Sequence, residues 1–283
     1  MLYGIDNFDK NGFAYPFKLS KKYSDKQLKE EYYNFQNQCK EHLNYPVSLK
    51  PNLLSTFFDE LAFDKNVIDE VKKIIGDVIY IWSSAFFPKE VGEGKIVSFH
   101  QDNPYWQLTS NNVVSAWIAL TKSNKQSGAL SVVPGSHKNG LIKNIDVKNA
   151  RYSYLNGEKT TPEKDLLSYS QNLDEYIQKY PPKHLELSPG EFSIHHVNTV
   201  HGSGINNSST PRIGFAVRYI SSDTKHLIEK KGDSAIHVCG KKNSYFSDES
   251  RPNKNFSKQS IINHEKSMKA AGAFGNKKYV FKK

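Results

Sequence analysis

Cysteine is almost missing from this 283-residue chain: only Cys39 and Cys239 occur. Two thiols build no disulfide framework. The opening MLYGIDNFDKNGFAYPF has no basic patch followed by an apolar run, so the expected setting is a reducing cytoplasm. Long hydrophobic runs are missing as well. No stretch approaches the roughly eighteen apolar residues that a membrane span needs, and no membrane partner is expected. No internal repeat is found. Negative charge is in deficit, with 29 Asp and Glu against 39 Lys and Arg, a formal net charge of +10. Much of the excess lies in residues 230–283, which hold thirteen basic residues and four acidic ones. A concentrated basic tail can mark a nucleic-acid surface. This one carries no zinc-finger, helix-turn-helix or RNA-binding signature and its lysines are scattered, so it reads as solvated charge rather than a nucleic-acid interface.

The patterning changes character once along the chain. Between Ser24 and Leu43, Leu28, Tyr32, Phe35 and Cys39 fall on one helical face, and Ser24 with Gln27 forms a capping-box pattern. A second helix is expected from Asn66 to about Gly76, where Val67, Val71, Ile74 and Ile75 recur at helical spacing. From Val78 onward the runs VIYIWSSAFF, GKIVSFHQD, VVSAWIAL and GALSVV are short, β-branched or aromatic, and separated by turn residues. HLELSPGEFSIHH reads as a hairpin about Pro189-Gly190, and RIGFAVRYI as a closing strand. Helices first and strands afterwards predict a mainly β fold: a double-stranded β-helix, a cupin-like jelly roll, with flanking N-terminal helices. The expected organisation is one domain over 1–283, with helical support in 1–77, a jelly-roll core in 78–222 and a basic extension in 223–283. Residues 141–183 form a long polar excursion with a helix expected from Pro162 to Tyr180. Such insertions in compact domains are often functional, and this one is read as a lid.

Two phrases carry chemistry. SFHQDNPYW contains His100 and Asp102, and alternate residues of a strand project to one face, so H-x-D sets an imidazole beside a carboxylate. About ninety residues on, GEFSIHHVNTVHGSG offers a second histidine; His201 is the candidate, with His195 and His196 as competitors. Two histidines and one carboxylate form the facial triad that leaves positions open on ferrous iron. His195 and His196 must point to opposite faces, so at most one of them faces such a centre. Arg212 follows His201 by eleven residues across the turn-like GSGINNSSTP, an arrangement that suggests facing ends of a hairpin and a guanidinium fork for a carboxylate. Gly214 and Ala216 share its face and leave room beside it.

The phrases FHQDNPYW, SAWIAL, GALSVVPGSH, HGSGINNSSTPR and GFAVRY, in that order and at that spacing, resemble the phytanoyl-CoA dioxygenase family of iron(II)- and 2-oxoglutarate-dependent oxygenases over roughly residues 1–222. The resemblance selects His201 over its neighbours. It implies that His100, Asp102 and His201 bind Fe(II), that Arg212 and Ser203 hold the distal carboxylate of 2-oxoglutarate, and that Trp117 lines the co-substrate site. It further implies O2 as co-substrate and succinate and carbon dioxide as products. Related halogenases have a small residue at the iron carboxylate, whereas here Asp102 is present and hydroxylation or another oxidation is expected. Members act on substrates from acyl-CoA to amino acids and osmolytes, so the family name does not fix one. The basic balance favours a small polar metabolite, with Asn103, Tyr105 and Trp106 as candidates for its side of the site. Two other readings use the same residues, a non-catalytic jelly-roll binding protein and a zinc-dependent hydrolase.

Overall fold

In a computed structural model the described residues are 3–47, 49–142, 153–155, 158–160, 165–167, 171, 173–227 and 233–271. The chain separates into two compact units, each formed from three stretches. The first takes Met1–Lys18, Phe87–Trp106 and Trp117–Gly214, the second Leu19–Phe86, Gln107–Ala116 and Phe215–Lys283. The helices are α1 (Phe8–Asn11), α2 (Asp25–His42), α3 (Thr56–Ala62), α4 (Lys65–Ile75), α5 (Asn103–Trp106), α6 (Asp174–Lys179) and α7 (Lys258–Ala270). The strands of the larger sheet are β1 (Phe13–Lys18), β2 (Ile79–Lys89), β4 (Val113–Ala119), β9 (Glu191–His196), β11 (Arg212–Ser221), β12 (Ser234–Cys239) and β13 (Ser247–Asp248), in the order β1-β9-β4-β11-β2-β12-β13. The second sheet has the order β3-β10-β5-β8, from Val97–His100, His201–Ser203, Ser131–Val132 and Lys183–His184. A two-stranded ribbon, β6 (Ser153–Leu155) and β7 (Glu158–Thr160), stands by itself. The architecture is the expected jelly roll.

In the first unit the β3-β10-β5-β8 sheet is antiparallel throughout, and its strands are two to four residues long. Short strands make a compact wall. Behind it Val133, Leu173 and Val200 are buried, with Phe99, Ile142, Tyr176 and Ile177 packed against them. In the second unit the two expected helices form where the apolar spacing placed them. The hydroxyl of Ser24 accepts from the Gln27 backbone N–H at 3.1 Å and caps α2, and α4 stops at Gly76. Leu28, Tyr32, Phe35 and Cys39 are the buried face of α2. Phe35 and Phe58 meet Phe86 with ring centroids 5.4 and 4.7 Å apart, and Phe58 also meets Phe215 at 5.4 Å. Phe35, Phe58 and Phe215 are buried, and each such ring contributes about 2 kcal/mol. No helix among the described residues is long and apolar enough to cross a membrane.

Four local expectations are corrected. Residues 184–196 do turn at Gly190 (φ +77°), but they do not form a hairpin, because β8 pairs with β5 in one sheet and β9 with β1 in the other. The His201–Arg212 connection likewise joins the two sheets, β10 lying in one and β11 in the other. A turn is visible in local sequence; the sheet chosen by each flank is decided by distant partners. RIGFAVRYI is not a closing strand: β11 runs between β4 and β2 and is buried along nearly all its length, so both of its faces are covered. The helix expected from Pro162 begins only at Asp174. Asp165 instead bridges Ile96, and residues 162–164 lie outside the described residues. The strands β1 and β12 and the helices α3 and α7 were not anticipated.

Candidate metal centre

β3 and β10 run antiparallel with His201 directly opposite His100, and their rings lie 4.1 Å apart between centroids. Asp102 sits just past the end of β3. Its N–H donates to the Val197 carbonyl at 3.1 Å, and its own carbonyl accepts from Tyr105 and Trp106 at the start of α5. The backbone of Asp102 is thereby held on both sides. Asp102 Oδ1 is 3.4 Å from His100 Nε2, and Oδ2 is 3.9 Å from His201 Nε2. One ligand atom from each of these three buried residues lies within 4.8 Å of the others, and this is the only such group among the described residues.

The backbone sets the imidazole tautomers. His100 Nδ1–H donates to the Ser98 carbonyl at 2.8 Å, and His201 Nδ1–H to that of Thr199 at 2.9 Å, each two residues back along its strand. Anchoring Nδ1 in this way leaves Nε2 with its lone pair turned to the centre, the usual orientation of a metal-binding histidine. Protonation fits as well. Burial alone would raise the Asp102 carboxyl, but His201, His100 and His195 around it hold it well below the usual carboxylate range. Burial, then His100, push His201 well below the ordinary imidazole value, with Asp102 offsetting only part. A charged carboxylate and a neutral imidazole are the forms that bind a divalent cation. The donor set fits ferrous iron.

The parity argument for the neighbouring histidines holds. His195 is buried at the centre, with Nε2 3.9 Å from Asp102 Oδ2 and its ring 4.5 Å from that of His201. His196 turns the other way, accepting from the Asn198 N–H at 3.1 Å and lying beside His137.

Two residues along β10 from His201, Ser203 opens a cationic cluster. Arg212 is only 1% exposed; its Nη1 donates to the Phe87 carbonyl at 2.8 Å and its Nη2 to Ser203 Oγ at 3.3 Å. Its Nε is buried with no hydrogen-bond partner among the described residues. The guanidinium lies 5.5 Å from the Trp117 ring centre. Gly214 makes that arrangement attainable: a Cβ there would stand 2.0 Å from Trp117 Cζ2, so only glycine lets the indole lie against β11. Burial lowers the Arg212 guanidinium to about 9. A fork-shaped buried cation with an unused N–H is the receptor expected for a carboxylate, so these residues fit the distal end of a keto diacid.

Lys89, at the end of β2, was missed by sequence reading. It is also 1% exposed, and its Nζ donates to Ser203 O at 2.9 Å, to Ser203 Oγ at 2.6 Å and to the Gly204 carbonyl. A lysine in AFFPKEV, next to a glutamate, carries no signal of burial.

The candidate substrate residues Asn103, Tyr105 and Trp106 form α5 and are all half-buried rather than core. The Tyr105 ring is 5.9 Å from that of His100. Its hydroxyl is pushed up to about 12, chiefly by burial, against a hydrogen bond with Gln171. Gln171 was not singled out from sequence either. Its side chain makes a reciprocal pair with the backbone of Gln101, 3.1 Å from Gln101 N–H and 2.8 Å to Gln101 O. Gln101, the middle residue of the H-x-D phrase, also accepts from Ile142 N–H at 2.9 Å. Ile142 and Gln171 of the excursion are therefore both hydrogen-bonded to the middle residue of the metal phrase.

A jelly roll carrying two histidines and an aspartate beside a buried cationic cluster defines the class of mononuclear non-haem metal proteins. More narrowly, the chain belongs to the phytanoyl-CoA dioxygenase (PhyH) family, whose model matches residues 15–214. Among curated proteins it is 26% identical over 178 residues to a probable alpha-ketoglutarate-dependent hypophosphite dioxygenase of Stutzerimonas stutzeri, 63% of this chain and 58% of that protein. It is 29% identical over 165 residues to the ectoine dioxygenase of Halomonas elongata, 56% of this chain and 48% of that one. The chain thus spans about half the length of the curated relatives it matches. The fold is shared with the apo non-haem monooxygenase ThoJ, at a TM-score of 0.77 and 20% identity over 95% of this chain and 96% of that one.

Proposed function

We propose that the chain is an Fe(II)- and 2-oxoglutarate-dependent dioxygenase that hydroxylates, or otherwise oxidises, a small polar metabolite. The observation that carries this reading is the placement of a buried His-Asp-His cluster and a buried guanidinium within one compact unit. His100, Asp102 and His201 would hold the iron through two Nε2 atoms and one carboxylate oxygen, leaving the remaining positions for co-substrate and O2. Iron bound there supplies the reactivity that couples decarboxylation of 2-oxoglutarate, giving succinate and carbon dioxide, to oxidation of a C–H bond.

The protein's own residues supply position. Arg212 and Ser203 hold the distal carboxylate of 2-oxoglutarate, and Trp117 backs the guanidinium. The spacing suits this division of labour, because His201 and Ser203 are alternate residues of β10, about 7 Å apart and on one face. Asn103, Tyr105 and Trp106 flank the centre on the substrate side, and the excursion read as a lid is tied to the metal phrase where Gln171 pairs with Gln101. A small polar substrate agrees with the relatives that act on hypophosphite and ectoine. A reducing, cytoplasmic setting agrees with two free cysteines. A zinc hydrolase would have no use for a buried guanidinium turned to a carboxylate. Nor would an inert binding protein need its imidazole tautomers fixed around Asp102.

The test is succinate release from 2-oxoglutarate by protein reconstituted anaerobically with ferrous ion and then exposed to O2. Native protein is expected to form succinate, and His201→Ala to form none. Tight zinc binding with hydrolytic, oxygen-independent activity would replace this reading with the hydrolase.

A further inference from the structure

β3 is the outermost strand of its sheet, and it carries His100. One of its edges pairs with β10, and the excursion serves the other. Leu166 N–H donates to the Ile96 carbonyl at 2.9 Å, and Ser98 N–H donates to Asp165 Oδ1 at 3.3 Å. Just past the strand, between the two ligands of the H-x-D phrase, the side-chain amide of Gln171 takes over. It accepts from Gln101 N–H at 3.1 Å and donates to Gln101 O at 2.8 Å, as the backbone of a neighbouring strand would. Gln171 is 3% exposed and Gln101 fully buried. The same amide is hydrogen-bonded to Tyr105 on the substrate side. Gln101 Oε1 in turn accepts from Ile142 N–H at 2.9 Å, and its Nε2 donates to the Gly140 and Asn198 carbonyls at 2.9 and 2.7 Å. Buried peptide groups are costly without partners, so the chain between His100 and Asp102 is held where Gln171 holds it.

We propose that Gln171 is a positioning residue of the metal centre: through the backbone of Gln101 it fixes His100 and Asp102 relative to each other, so that its docking and the filling of the centre favour one another. The inference rests on the functional reading above and adds to it a residue of the excursion that touches no ligand side chain. Linkage makes the effect reciprocal. Whatever Gln171 contributes to metal affinity, the bound metal returns as tighter closure of the Gln101 hydrogen bonds, including the one from Ile142 N–H. A glutamine that only stabilises the fold is the reading to be separated. It would cost stability when replaced and leave metal affinity alone.

The separating experiment is an anaerobic calorimetric titration of the full chain with Fe(II), with amide hydrogen exchange measured before and after loading. Gln171→Met keeps the length of the side chain and loses both hydrogen bonds. It is expected to bind Fe(II) about tenfold more weakly, the lower end of the range for outer partners of metal ligands. Asn139→Ala is the control, because it removes another tie to the excursion, from Asn139 Nδ2 to the Tyr176 hydroxyl at 2.7 Å, away from the H-x-D phrase. Its Fe(II) affinity is expected to equal the native value. In native protein Fe(II) is expected to slow exchange at the Ile142 amide, and in Gln171→Met to slow it less. Equal Fe(II) affinity in native protein and Gln171→Met would overturn the inference, as would equal weakening in Gln171→Met and Asn139→Ala. If Gln171→Met does not fold, native protein decides: Ile142 exchange indifferent to bound Fe(II) would overturn the inference and leave the functional reading standing. Folded native protein that takes up no Fe(II) would remove both.

Discussion

The two ends of β10 are opposite in what they are missing. At His201 a buried carboxylate lies between two imidazoles, a negative centre that calls for a cation. At Ser203, two residues on, the buried Arg212 guanidinium calls for an anion. Each deficit is expensive where it stands, because burial multiplies the cost of an uncompensated charge. Three residues of one strand thus bring together a metal site and a carboxylate site. A keto diacid chelated at one end and ion-paired at the other relieves both. Under the proposed function, the site serves a bridging ligand rather than a metal alone.

Breaking the negative end is expected to have the largest effect. Asp102→Asn removes the only carboxylate in the cluster and should lower succinate formation by more than about a hundredfold, since even outer partners of metal ligands are worth ten- to a hundredfold. Metal analysis of the purified variant, with less iron retained than in native protein, checks it. Breaking the positive end comes next. Arg212→Met should weaken 2-oxoglutarate binding by about a hundredfold, the scale of losing a buried charge pair, while Fe(II) binding in the absence of co-substrate stays near the native value. Calorimetric titration with each ligand distinguishes the two.

Gly214→Ala disturbs the positive end without touching a charge. Its Cβ would meet the Trp117 indole at 2.0 Å, so the ring must move and leave Arg212. A loss of about 1–3 kcal/mol of stability is expected, with altered indole fluorescence and weaker 2-oxoglutarate binding, measured by denaturant titration and ligand titration. The smallest effect is a control. Ser24→Ala removes the cap of α2 in the other compact unit, should cost about 1 kcal/mol, and should leave 2-oxoglutarate affinity unchanged.

The contrast between the ends also explains which residues could be read without coordinates. The negative end is written locally: His100 and Asp102 are two apart, a spacing short enough to place both side chains together even though Asp102 lies past the strand rather than in it. His201 and Arg212 were legible as part of an ordered set of phrases. Their connection reads as a hairpin, whereas it joins two sheets, because β10 pairs with β5 and β11 with β4 and β2, partners far away in sequence. Lys89 was not legible at all. A lysine at a strand end defaults to solvent, and only the fold shows that Ser203 and Gly204 receive it. Gln171 fails for the same reason, its role being to face Gln101 seventy residues earlier. Helices α2 and α4 were readable because cap and apolar stripe sit within one segment, while β1 and β12 acquire meaning only from their neighbours in the large sheet.

The central claim is that one site takes a metal at His100, Asp102 and His201 and a keto diacid across to Arg212. The most direct measurement is an anaerobic titration of native protein with 2-oxoglutarate, with and without one equivalent of Fe(II), followed in the visible range. The account predicts a charge-transfer band that appears only when both are present and saturates at one 2-oxoglutarate per iron. A folded protein that binds the iron yet gives no band and no heat with 2-oxoglutarate would contradict it.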